Sequence, residues 1–167
     1  EVAIKSVPFF GKIDAKTGYI VLSRFNNKAS LETKEALEQL KREGAERIVL
    51  DLRGNPGGLL NEAVNVCNLF VPKNETIVTT KSKIEKHNST YKTSRDPIDT
   101  EIPLVILVNG KSASASEIVS GALQDLDRAV IIGGRSFGKG LVQRPVELTY
   151  GTQLKVTISR YYTPSGR

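Results

Sequence analysis

Two short, mainly apolar runs, RIVLDL at residues 47–52 and the continuous PLVILV at 103–108, punctuate the chain. Such runs, short and rich in β-branched residues, predict strands of a parallel sheet covered on both faces. AVIIGG, 129–134, reads as a third strand, and residues 2–10 and 19–25 as two more by their β-branched and aromatic content. Helical patterns lie between them. Ser30 is placed to cap a helix running to about Glu43, with Glu32 and Glu35 near its positive end, Lys41 and Arg42 near its negative end, and Gly44 to stop it. A second helix is expected from about Leu60 to Phe70, closed by Pro72. A third grows out of SASASEIVSGALQDL, 112–126. Residues 76–95 alternate weakly and predict an exposed hairpin, while LVQRPVELT (141–149) and QLKVTISRYYT (153–163) read as two further strands. No repeat or linker interrupts the order, which predicts one α/β domain with covered sheets.

At 167 residues the chain is long enough for one real core. Its 39% apolar and 25% charged residues are those of an ordinary globule rather than a disordered chain. No run approaches the length of a membrane span, and no charged-then-apolar leader opens the sequence. The opening EVAIKSVPFFGKI reads like the middle of a protein, so a processed or excised piece is expected. The net charge of +6 is uneven: residues 73–95 carry six Lys or Arg against Glu75 and Glu85. Nucleic acid could be drawn to such a stretch, but a solvated hairpin is the simpler reading, and no nucleic-acid partner is expected. The single cysteine, Cys67, rules out an internal disulfide and sits in an apolar pattern that suits a small buried hydrophobe. The single histidine, His87, lies in the polar tract KHNSTYKTS and reads as a surface residue.

Gly133 to Lys139 matches the first seven positions of a phosphate-binding loop. Such a loop also needs a hydroxyl at the eighth position and a helix behind it. The eighth residue is Gly140, and GLVQRP, with Pro145, continues as a strand. The nucleotide reading fails on both counts.

A cluster of small residues, Ser112-Ala113-Ser114-Ala115-Ser116, stands between a buried strand and a helix. Ser116 can be the N-cap, with Glu117 in the first turn. A serine at such a junction can also present its hydroxyl beside unpaired amides, as a nucleophile does. The residues alone leave capping and catalysis level. A nucleophilic serine needs a base, and His87 is poorly placed to be one. A lysine serves where burial disfavours its ammonium form. Lys139, after Phe137 and between Gly138 and Gly140, could be tucked into such a place.

DLRGNPGG (51–58), VNGKSASASEIVSGALQD (108–125), GRSFGKGLVQ (134–143) and the terminal RYYTPSGR together resemble the carboxyl-terminal processing peptidases, also called tail-specific proteases. The resemblance covers essentially the whole chain, with the motifs in the family's order. It implies a ClpP/crotonase-like α/β core of repeated β-β-α units, residues 1–167 being a serine peptidase catalytic core. It implies Ser114 as nucleophile, Lys139 as general base and Gln143 as the residue orienting the amine. The backbone N–H of Ala115 becomes one oxyanion donor and that of Gly57 or Gly58 the other, with Asp125 supporting the site. No metal or cofactor is implied. The substrates would be proteins with accessible C-terminal tails, lying extended along a strand edge, and the enzyme would be exported to a bacterial cell envelope. A homo-oligomer is left open. The family's PDZ domain has no counterpart here, which keeps a catalytically silent peptide-binding scaffold as the alternative.

Overall fold

The computed structural model describes residues 4–167. The predicted strand at 2–10 therefore begins partly outside the described residues, and the strand present is β1, Phe9–Lys12. It pairs antiparallel with β2, Thr17–Val21, which starts and ends earlier than the predicted 19–25. Gly18 of β2 stands where a Cβ would lie 2.8 Å from Ile48 Cδ1 and 2.9 Å from Leu40 Cδ1, so the core leaves no room there for a side chain. Helix α1, Ala29–Arg42, follows, then β3, Arg47–Asp51, and α2, Leu60–Cys67. Strands β4, Thr76–Lys81, and β5, Ser89–Lys92, form the expected hairpin. The chain continues through β6, Leu104–Val108, α3, Ala115–Asp125, and β7, Val130–Gly133. It closes with β8, Leu141–Glu147, and β9, Gln153–Tyr162.

Two sheets result. The first has the order β1-β2-β3-β6-β7, parallel except for the β1-β2 pair, and the second is antiparallel in the order β5-β4-β9-β8. In the first sheet β2, β3, β6 and β7 follow one another in a single direction, so right-handed crossovers bring all three helices to one face. There Ile20, Ile48, Leu50 and Ile106 are fully buried with Leu37 and Leu40 of α1. Helices α2 and α3 pack in turn against β4 of the second sheet. The expectation of two covered faces fails on the other side. Val105 and Leu107 of β6 are only half-buried, and Ile132 of β7 is exposed, because no element of the described residues crosses to that face.

The helix ends also differ from expectation. Ser30 lies inside α1, whose N-cap is Lys28. The orphan amide of Ser30 donates instead to Glu62 Oε2 of α2, at 2.7 Å, so a neighbouring helix does the work a capping side chain would do. Helix α2 ends at Cys67, and Asn68 then turns its amide to the 94–95 loop, donating to Arg95 O at 2.7 Å and accepting from Arg95 N at 2.8 Å. Burial pushes the fully enclosed Cys67 thiol up, which keeps it unreactive. His87 sits in a short exposed 3-10 turn. No described helix is long and apolar enough to cross a membrane.

Candidate active site

Strand β6 delivers the chain to the start of α3, where three serines divide the work. Ser112 donates its hydroxyl to Leu52 O at 2.8 Å, and Ser116 donates to Asn55 O at 3.0 Å. Both are fully buried, and both stitch this turn to the RGNPGG loop. Ser114 stands between them, half-exposed, and is itself the N-cap of α3 in place of the expected Ser116. Its amide donates to Glu117 Oε2 at 2.9 Å, the carboxylate half of a capping box. Its backbone has φ 55° and ψ −113°, a conformation that costs a serine on the order of 1–3 kcal/mol and persists only where surroundings enforce it. The strain turns one hydroxyl out of a small-residue turn into a cleft.

The RGNPGG loop is held from beneath. Asp51, buried at 5% exposure, accepts from Arg53 Nε at 3.0 Å and Nη2 at 2.7 Å, and the Tyr19 hydroxyl joins the same carboxylate. Burial alone would raise the Asp51 carboxyl; the Arg53 and Tyr19 hydrogen bonds outweigh it and hold it below the usual carboxylate range. Asn55, fully buried, donates to Leu22 O at 2.7 Å and accepts the Gly57 amide at 2.8 Å. Gly57 has φ 99°, and a Cβ on it would lie 2.7 Å from Ala113 O and 2.8 Å from Ser114 Cβ. Only glycine lets this loop abut the serine turn. Because the Gly57 amide is spent on Asn55, it is turned away from the cleft. The amides of Gly58 and Ala115, both in the cleft wall, have no acceptor among the described residues.

The third part of the site is the 134–140 loop between β7 and β8. Glu117, one turn into α3, gathers it: Ser136 Oγ donates at 2.8 Å, Gly138 N at 2.5 Å and Lys139 N at 3.0 Å. The same carboxylate accepts the Ser114 amide and the Tyr161 hydroxyl, the latter at 3.1 Å. Burial pushes the Glu117 carboxyl up, but the amides of Gly138 and Ser114, the Ser136 hydroxyl and the Lys139 amide hold it below its ordinary value. Burial and the neighbouring carboxylate push the Tyr161 hydroxyl up, so it stays a donor. Neither residue was singled out for the site from sequence. The S-x-x-E spacing from Ser114 to Glu117 was the available signal, and it reads first as a cap.

Ser114, Ala115, Gly58, Lys139 and Gln143 thus line one cleft of about 390 Å³. Lys139 is half-buried, less enclosed than the sequence suggested, and Gln143 on β8 is exposed. No hydrogen bond joins Ser114 Oγ to Lys139 Nζ. The glycines beside Lys139 act differently from expectation. A Cβ on Gly138 or Gly140 would meet nothing within 4 Å, so they admit no close packing. Their φ values of 81° and 56° bend the backbone so that Glu117 can reach its amides. Asp125 lies elsewhere, at the far end of α3, about 15 Å along the helix from Ala115. There it accepts Ser165 N at 2.9 Å and pairs with Arg167.

A family model described as peptidase family S41 matches residues 16–167. The chain is 45% identical over 161 residues to a carboxyl-terminal-processing protease of Picosynechococcus sp., covering 94% of this chain and 38% of that protein. It is 42% identical over 170 residues to a probable CtpA-like serine protease of Staphylococcus aureus, covering 99% of this chain and 33% of that protein. Among solved structures it superposes on a photosystem II D1 C-terminal processing protease with a TM-score of 0.85 and 36% identity, over 99% of this chain and 45% of that one. The chain therefore spans well under half the length of these relatives.

Proposed function

The chain belongs to peptidase family S41, and from that premise we propose that its cleft is the catalytic centre of a serine endopeptidase acting through Ser114 and Lys139. One observation carries the reading: Ser114 and Lys139 share a cleft with two amides that have no other acceptor. In this mechanism the neutral Lys139 amine removes the Ser114 proton as Oγ attacks the scissile carbonyl. The amides of Ala115 and Gly58 receive the oxyanion. The tetrahedral adduct collapses, Lys139 returns its proton to the leaving amine, and water, deprotonated in turn by Lys139, hydrolyses the ester left on Ser114. Gln143 orients the amine from β8. A bound peptide closes the open side of the cleft and strips the remaining water from Lys139, which reconciles a half-buried base with its task.

The peptide lies extended along β8, the unpaired edge of the second sheet, whose Leu141, Val142 and Gln143 border the cleft. Substrates with accessible C-terminal tails follow from what the relatives are called, and export to a bacterial cell envelope belongs to the same proposal. Replacing Ser114 or Lys139 by Ala in the full-length protein should abolish cleavage of an unstructured-tailed substrate. Undiminished turnover in either variant rejects the dyad. The absence of a Ser114–Lys139 hydrogen bond favours, as a second reading, a silent peptide-binding scaffold. Acylation of Ser114 by a serine-directed electrophile decides between them.

A further inference from the structure

The cleft holds a second amine that the reaction above does not use. Lys155 lies on β9 opposite Pro145 of β8, two residues along from Thr157, the partner of Gln143. It lines the same wall as Ser114, Lys139 and Gln143. Among the described residues it makes no ion pair. Among the described residues the wall has no carboxylate of its own, and Leu59, Leu60, Ile118 and Leu141 give it apolar surface beside its polar groups. Glu117 stands behind it with both oxygens already engaged.

We infer that Lys155 makes a carboxylate subsite in this cleft, selecting peptides that carry a carboxylate two or three residues from the bond Ser114 attacks. This rests on the proposed peptidase reading. Two strand residues place Lys155 about 7 Å beyond the Gln143 level, and an extended peptide covers that distance in about two residues. The stem of the lysine adds reach of about one more. The carboxylate is either the chain terminus or an Asp or Glu side chain, since both offer two oxygens to an ammonium. Bound peptide excludes water along the apolar wall, so the pair is stronger in the complex than on an open surface.

The test uses the full-length protein and fluorogenic peptides sharing one apolar scissile residue. One pair differs by Glu or Gln at the second or third residue on either side of the bond, with an amidated terminus. A second pair ends two residues downstream in a free carboxylate or an amide. The carboxylate member of at least one pair should be cleaved about three- to fivefold faster in kcat/KM, the scale of an exposed ion pair. Whichever pair shows it identifies the source of the carboxylate. That ratio should survive Lys155→Arg, fall to about one in Lys155→Gln, and invert in Lys155→Glu, whatever the absolute rates. Equal rates within every pair for the wild type, or a ratio untouched by Lys155→Gln, overturns the subsite and leaves the peptidase reading intact. The same peptides titrated against Ser114→Ala by fluorescence anisotropy give the ratio in binding without turnover. A protein that cleaves nothing thus rejects the peptidase while the binding ratio still decides the role of Lys155.

Discussion

Helix α3 ends at both extremes on a carboxylate that gathers loops, yet the two ends are built for different purposes. At its start, Glu117 joins amides of two segments, Ser114 on one side and Gly138 and Lys139 on the other, around a cleft. Its neighbours have positive φ at Ser114, Gly138 and Gly140, and two amides are left without acceptors among the described residues. At its finish, the fully covered Asp125 carboxylate takes Ser165 N and the Arg167 guanidinium. Gly121 completes that end, since a Cβ there would lie 2.6 Å from Thr163 Cγ2. Hydrogen bonds to ionised groups hold both carboxyls below their ordinary values against the opposing effect of burial. The same chemistry serves one end by holding strain and the other by removing slack. Strain with unpaired donors is what the proposed site needs; full satisfaction is what an anchor needs.

Substitutions can break or sharpen this contrast. The largest effect is expected from Ser114→Ala, which should lower kcat/KM by about 10⁴-fold or more in peptide hydrolysis while leaving thermal stability near the wild-type value. Glu117→Gln keeps shape but weakens the acceptor. As a positioning residue it should cost about 10- to 100-fold in kcat with little change in KM, as expected when a catalytic group is displaced by about 1 Å. Asp125→Asn should do the reverse, destabilising by about 1–3 kcal/mol in chemical denaturation, with kcat per folded molecule preserved. If Asp125→Asn abolished turnover in a fully folded protein, the distinction between the two ends would fail. Gly57→Ala, forced to place a Cβ against Ala113 O at positive φ, should lower both stability and kcat, by about 1–3 kcal/mol in the first.

The smallest effect is one of pH. Both carboxyls are lowered in the fold, so each contributes stability that is fully present above the ordinary carboxyl pKa of about 4. That contribution is lost as pH falls through the depressed folded values. Denaturation of the wild type followed from pH 7 to pH 3 should therefore show stability falling at the acid end. Glu117→Gln and Asp125→Asn should each flatten that fall, and unchanged slopes in both would separate the hydrogen bonds from the stability they are assigned.

Most elements were legible along the chain. The runs RIVLDL and PLVILV became β3 and β6, and the weakly alternating 76–95 became the β4-β5 hairpin. Those signals are local, since apolar periodicity and turn residues act within a few positions. The start of α1 was misread because Glu62, 32 residues after Ser30, caps its first turn, while its end at Glu43 was read correctly. The sequence put Ser114, Lys139, Gln143 and an oxyanion glycine together through resemblance, and the fold seats all of them in one cleft. The Asn55 side chain occupies the Gly57 amide, so of the two glycines only Gly58 keeps its amide without an acceptor among the described residues.

By itself the sequence determined the order of strands and helices and which residue types could carry chemistry, because these are written in spacing and composition; the family was legible only as a resemblance of whole motifs. Tertiary structure alone decided what each group has left to offer. It gave Ser112 and Ser116 their acceptors and left Ser114 turned into the cleft. It made Glu117 the tie between two loops and Asp125 a remote clamp. A donor becomes available only when no other part of the chain has taken it, and that depends on partners distant in sequence.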